Sequence, residues 1–143
     1  MKCVYCESKE IKERIIIKTQ YAFAFPTNMP VVPGHVLICP NRCVSNLEEL
    51  TDDEFKGIFD LLIVMKKALK KTFHAEGFNY AWNEGSVAGQ NVSHLHLHIL
   101  PRKNGDTGIT EYEPRKFLYR PRSRETSPEN ELKTVAELIK KNI

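Results

Sequence analysis

Three of the five histidines in this 143-residue chain stand at every second position of one stretch, Asn91-Val-Ser-His94-Leu-His96-Leu-His98-Ile-Leu-Pro101-Arg102. Side chains of a strand alternate between its faces. The spacing therefore predicts a strand that sends Leu95, Leu97 and Ile99 into a core and projects His94, His96 and His98 together from the opposite surface. A hydrophilic strand face has no structural need for three imidazoles in register. Chemistry is the economical explanation, because imidazole is the side chain whose unperturbed pKa lies near neutrality. It can serve as nucleophile, proton donor or metal ligand.

Residues 15–17 and 21–25 have strand composition and read as a hairpin. Residues 28–34 punctuate the chain with two prolines and a glycine, and a third strand follows over 35–39, opened by His35 and ended by Pro40. Thr51-Asp-Asp-Glu54 is a capping box, in which hydroxyl and carboxylate satisfy orphan amides at a helix start. The long helix it opens is expected to bury Phe55, Phe59, Leu62, Leu69 and Phe73 as one stripe. Lys66, Lys67, Lys70 and Lys71 load its last turns, where the dipole favours cations. Gly77 ends it, residues 78–83 read as a fourth strand, 84–89 as a turn and 95–100 as the fifth strand. Past Pro101 the pattern becomes irregular until Ser127, as N-cap, and Pro128, at the first helical position, open a terminal helix with Leu132, Val135, Leu138 and Ile139 on one face. The expectation is an α+β fold: an antiparallel five-stranded sheet with one long helix and a C-terminal helix. The length suits a single domain over 1–143, with its core in about 1–102 and 103–143 as tail and helix.

Hydrophobic residues make up 41% and charged residues 27% of the chain, ordinary values for a soluble globular protein. The longest apolar run, 58–65, is broken by Asp60, so no membrane span is expected. Met1-Lys-Cys-Val-Tyr-Cys6 has no secretory character, which points to a cytoplasmic address. In a reducing compartment Cys3-x-x-Cys6 reads as a metal clip or redox pair, not a structural disulfide. Cys39, inside an apolar strand, reads as a small core residue, and His74 as a surface residue. The net charge of +3 does not imply nucleic acid. The basic run Arg115, Lys116, Arg120, Arg122 and Arg124, with Arg102 and Lys103 upstream, reads as a solvated flank or as a phosphate-facing edge. A nucleic-acid binder would need more stacking platforms than Phe117 and Tyr119.

Two chemistries compete for the histidine strand. Two histidines two apart on a strand can hold zinc, and an open coordination position would generate hydroxide. Alternatively, Gly85-Ser-Val-Ala-Gly89-Gln90-Asn91 forms a small-residue turn whose amides could approach a phosphate. His94-Leu-His96-Leu-His98-Ile-Leu100, with Ala88-Gly-Gln90 before it, Pro101-Arg102 after it and Pro33-Gly-His35-Val-Leu37 upstream, resembles the signature of the histidine-triad superfamily over about residues 1–102. The resemblance implies a nucleotide hydrolase or transferase acting at the α-phosphorus, in which His96 is the nucleophile and forms a covalent nucleotidyl-histidine. It implies that His98 and His35 donate to non-bridging phosphate oxygens and that Gln90 meets the leaving-group oxygen. Asn83, Asn91, Ser93 and Thr27 are implied on the nucleotide, and no catalytic metal is required.

A subset of the superfamily carries a zinc pair where this chain has Cys3 and Cys6. The first triad histidine is a further ligand there, and the last stands in a Pro-x-x-His context after the third strand. Here Pro40-Asn-Arg-Cys43 puts cysteine in that place, so the implied set is Cys3, Cys6, Cys43 and His94, a closed structural zinc site. The stretch from Pro30 to Pro40 resembles the dinucleoside polyphosphate hydrolase branch most closely. Asn104-Gly-Asp-Thr107 is similar to the dinucleoside tetraphosphate phosphorylases. An adenosine phosphoramidase and a nucleotide-binding signalling module with incidental turnover are the remaining alternatives. A homodimer is implied, built on the long helix and a central strand, with Ile63 and Val64 as candidates for the extra buried face.

Overall fold

A computed structural model of the protein describes residues 3–106 and 126–143. Two short helices, α1 (Val4–Glu7) and α2 (Lys9–Glu13), precede β1 (Ile17–Lys18), β2 (Ala22–Pro26) and β3 (Val36–Pro40). The long helix α3 (Asp52–Phe73), β4 (Gly77–Trp82), β5 (Leu97–Arg102) and the terminal helix α4 (Glu129–Lys140) follow. The strands form one sheet in the order β1-β2-β3-β5-β4, every neighbouring pair antiparallel. This is the α+β architecture expected from the sequence. The basic run at 115–124 lies outside the described residues.

Alternation along the strands divides the core in two. Ala22, Ala24, Val36, Ile38, Leu97 and Ile99 face the helices, where Ile58, Leu61, Met65, Ala68 and Leu69 of α3 meet Ala136 and Ile139 of α4. Phe23, Phe25, Leu37 and Cys39 face the other way, against Ile11 and Tyr5. Each large side chain removed from water here contributes on the order of 1.5–3 kcal/mol. The second layer is the one that carries the histidines. Two short N-terminal helices cover it, elements that hydropathy periodicity did not mark.

The Thr51 hydroxyl accepts from Glu54 N at 3.1 Å and the Glu54 carboxylate accepts from Thr51 N at 2.9 Å, completing the capping box. The expected apolar stripe of α3 is corrected at its N-terminal half: Leu69 is buried and Leu62 and Phe73 pack against the core, whereas Phe55 and Phe59 are 52% and 56% exposed and Ile58, Leu61, Met65 and Ala68 are buried instead. The helix is apolar on two sides, and the sheet takes the side with the smaller, more deeply interdigitating aliphatic residues. In α4 the N-cap is Pro128, not Ser127, and Leu138 is exposed while Leu132, Ala136 and Ile139 are buried. β5 begins at Leu97 instead of residue 95, because Leu95 N donates to Val44 O at 2.7 Å in the loop after β3, outside the ladder. Gly34, at φ +87°, closes the turn before His35. A Cβ there would stand 2.7 Å from the Phe73 ring, so only glycine fits beside the end of α3. Among the described residues no helix is long and apolar enough to cross a membrane.

Candidate active site and metal centre

β3 and β5 are neighbours, and their register sets Leu37 opposite His98. His35, one residue before β3, thereby reaches His98 across the ladder. The Val31 amide donates to His35 Nδ1 at 3.1 Å, so the proton of the neutral ring sits on Nε2 and is donated to His98 Nδ1 at 3.0 Å. His98 then carries its own proton on Nε2. His96 donates from Nδ1 to the carbonyl of His94 at 2.8 Å, which leaves Nε2 as a bare lone pair. His94 donates from Nε2 to Pro40 O at 2.7 Å and turns a bare Nδ1 to the Sγ atoms of Cys3 and Cys6 at 3.3 and 3.4 Å. His94 and His98 thus carry their proton on Nε2 and His96 on Nδ1, set respectively by the Pro40 carbonyl, by His35 and by the His94 carbonyl.

The imidazoles of His96 and His98 lie 5.0 Å apart and those of His35 and His98 5.2 Å. Tyr5 sets its ring edge-on to His96 at 5.2 Å and to Phe25 at 5.3 Å. His35, His94 and His96 are all buried. Burial pushes the pKa values of His94 and His96 below the usual imidazole range, keeping both rings neutral and available as lone-pair donors.

The histidines open on a cavity of about 210 Å³. Of the residues expected in the site, His35, His96, His98, Thr27, Asn83 and Asn91 all lie in its wall. Gln90 does not. Its Oε1 accepts from Gly85 N at 2.7 Å and its Nε2 donates to Ser45 O at 3.0 Å, so the amide braces the turn ahead of the triad. Ser93 is exposed and likewise outside the wall. Tyr5, Arg14 and Phe25 enter the wall without having been expected there. Tyr5 lies between the two cysteines of the clip, and that spacing was the one available sign that it would be carried to the triad.

Cys3, Cys6, Cys43 and His94 bring their ligand atoms within 4.8 Å of one another. These are the four residues expected as ligands. A tetrahedral zinc with ordinary bond lengths separates an imidazole nitrogen from a thiolate by roughly 3.5 Å, close to the contacts His94 makes. Three thiols and one unprotonated imidazole nitrogen are a donor set suited to zinc, with no fifth ligand position for substrate. Cys39 is fully buried in the sheet, and burial drives its thiol pKa well up, as befits an inert core residue.

Residues 8–105 match the sequence profile of the HIT domain, and the chain belongs to this histidine-triad family. It is 37% identical over 95 residues to a bis(5'-adenosyl)-triphosphatase of Dictyostelium discoideum, covering 66% of this chain and 64% of that protein. It is 34% identical over 105 residues to an asymmetrical bis(5'-nucleosyl)-tetraphosphatase of Schizosaccharomyces pombe, covering 73% and 58%. The chain spans less than two thirds of the length of these relatives. Among solved structures, a diadenosine triphosphate hydrolase of Plasmodium falciparum, crystallised with Cyclomarin A, superposes with a TM-score of 0.74 at 28% identity, over 91% of this chain and 76% of that one.

Proposed function

We propose that this chain is a nucleotide hydrolase or nucleotidyl transferase that cleaves dinucleoside polyphosphates at the α-phosphorus. The observation that carries the reading is the tautomer of His96. With Nδ1–H held by the His94 carbonyl and the ring kept neutral by burial, Nε2 faces the cavity as a lone pair. Attack by Nε2 forms an N–P bond as the P–O bond to the leaving nucleotide breaks, and water or another acceptor then displaces His96 from phosphorus. His98 donates from Nε2 to a non-bridging oxygen, where negative charge concentrates. His35 acts through His98 by fixing its tautomer. Thr27, Asn83 and Asn91 supply polar contacts for the nucleoside, and Gln90 serves by bracing the turn. The names of the curated relatives support dinucleoside polyphosphates as the substrate class.

Cys3, Cys6, Cys43 and His94 hold a structural zinc in this reading, tying α1 to the catalytic strand. Two copies pair through the outer side of α3 and the edge strand β4. Phe55, Phe59 and Ile63 are exposed there, and Tyr80, stacked on Phe78, lies on the helix side of β4. All four cysteines are free of disulfides, which fits a cytoplasmic setting.

The test is product analysis with diadenosine tri- and tetraphosphate, with and without orthophosphate, on wild type and His96→Ala. AMP from wild type alone supports hydrolysis through His96. ADP in place of AMP when orthophosphate is supplied makes the chain a phosphorylase. Absence of turnover with either substrate overturns the reading in favour of a phosphoramidase or a nucleotide-binding module.

A further inference from the structure

The nucleotide cavity and the metal cage share one short stretch of chain. Cys3-Val4-Tyr5-Cys6 sets two cage residues at its ends and two cavity-wall residues between them. The stretch has little hold of its own. α1 is four residues long, has no side-chain cap at Cys3, and none of its residues is fully buried. A helix this short does not persist in water unaided, so contacts with the rest of the fold must place it.

Two sets of contacts do so. The Sγ atoms of Cys3 and Cys6 face His94 Nδ1, and Cys43 completes the cage. Thiols are weak hydrogen-bond donors, whereas bonds from thiolates to zinc would fix both ends of the stretch. The second anchor is the Tyr5 ring, which packs against the core layer of Phe23, Phe25 and Leu37. It stands edge-on to His96, at an interplanar angle of 89°, and tilted against His94 with the ring centroids 5.9 Å apart. Tyr5 therefore touches a cage residue and the candidate nucleophile while lining the cavity, with Val4 beside it in the wall.

We propose that Tyr5 is a positioning residue that couples the two sites, so that zinc in the cage and a nucleotide in the cavity bind with positive cooperativity. The inference rests on the nucleotide and zinc readings given above. Fixing α1 costs conformational entropy, and the ligand that binds first orders the segment for the second. By linkage, the factor by which zinc tightens the nucleotide is the factor by which the nucleotide tightens zinc. The metal then does more than staple the N-terminus, because it holds one wall of the cavity in place.

Calorimetric titration of AMP into the zinc-loaded full chain and into the same chain stripped by chelator tests this, with zinc affinity measured by competition against a chromophoric chelator in the presence and absence of AMP. Zinc is expected to tighten AMP about tenfold and AMP to tighten zinc by the same factor. Tyr5→Ala should still bind zinc but bring both factors within about twofold, whereas Tyr5→Phe, which keeps the ring, should retain them. AMP affinity indifferent to zinc overturns the coupling and leaves both sites standing. Coupling undiminished in Tyr5→Ala, or lost in Tyr5→Phe, overturns the route through the Tyr5 ring. A chain that binds no AMP in either state overturns the nucleotide reading as well, and one that binds no zinc overturns the metal reading. Where the stripped chain unfolds, hydrogen exchange of the zinc-loaded chain decides. Saturating AMP should slow the amides of Cys6, Glu7 and Ser8, which close α1 onto the carbonyls of Cys3 and Val4, in wild type and not in Tyr5→Ala. Unchanged exchange in wild type overturns the coupling.

Discussion

His94 and His96 are joined through the backbone of one and the ring of the other: His96 Nδ1 donates to the His94 carbonyl at 2.8 Å. The ring of the same His94 is fixed by Pro40 O at 2.7 Å and faces the thiols of Cys3 and Cys6. A single residue therefore sets the tautomer of the candidate nucleophile and completes the candidate metal cage. Whatever moves His94 moves the acceptor that holds His96.

That link makes the metal centre testable apart from turnover. The purified protein is expected to contain one zinc per chain by elemental analysis, and Cys43→Ser to lose most of it. Chelation should open residues 3–8 to hydrogen exchange and lower Tm. A stabilisation of about 3 kcal/mol corresponds to roughly 6–12 °C for a chain of this size. Native protein without zinc, with a Tm indifferent to chelator, would remove the metal centre from the account.

A second expectation concerns pH. Burial lowers the His96 pKa in the folded protein, so the unfolded chain binds the proton more readily. The stability linked to this ring is fully present above its ordinary pKa near 6.5 and declines as pH falls through the lowered folded value. The acid limb of the kcat/KM profile should accordingly lie below pH 6.5, with nucleophilicity retained down to that limb. A limb at or above pH 7 would assign the titration to another group.

The histidine strand, the capping box and the Pro-Gly-His turn were legible because each is a local pattern. Period two, a four-residue reciprocal cap and a glycine forced to positive φ depend on near neighbours alone. The zinc ligands were legible only through resemblance, since Cys3, Cys6 and Cys43 meet His94 across the sheet. On α3 the pattern places Leu62, Leu69 and Phe73 against the core but not Phe55 and Phe59, because the helix is apolar on two sides and periodicity cannot say which one faces the sheet. Gln90 was read as a substrate contact from its motif position, but its amide has nearer partners in Gly85 N and Ser45 O. Arg14 and Glu129 lie 115 positions apart, and no local signal announced their pairing.

Glu54 couples the cap of α3 to the loop after β3. Its carboxylate accepts from Arg42 Nε at 2.8 Å and Nη2 at 2.7 Å as well as from Thr51 N. The Arg42 hydrogen bonds, aided by the Thr51 amide, hold its pKa down at about 2. A depressed carboxylate contributes stability that is present above the unfolded value near 4.5 and is lost as pH falls towards 2. Glu54→Ala should cost about 1–2 kcal/mol at neutral pH and flatten the acid limb of the Tm profile. An unchanged acid limb would show that other carboxylates govern it.

The second apolar face of α3 predicts assembly. Phe55, Phe59 and Ile63 are exposed on the helix, Tyr80 is 43% exposed on β4, and β4 is the edge of the sheet. Edge strands with apolar surroundings are ready to pair, and a second copy of β4 would continue the ladder while covering these side chains. Sedimentation should give a dimer for wild type and a monomer for Phe59→Asp with folding retained, since Phe59 is not part of the core. A monomeric wild type at micromolar concentration would rule this interface out.

His35 offers the sharpest division between contact and positioning. Its Nδ1 accepts from Val31 N and its Nε2 donates to His98, so in this arrangement it acts on phosphate only through His98. His35→Ala removes the hydrogen bond that places the His98 proton on Nε2, and losing one such bond, at about 1–3 kcal/mol, corresponds to about a 5–150-fold fall in kcat. KM should change little, because the nucleoside contacts of Thr27, Asn83 and Asn91 remain. His35→Gln, whose amide can both accept from Val31 N and donate to His98, should recover part of the rate. A large rise in KM with kcat preserved would instead place His35 on the substrate directly.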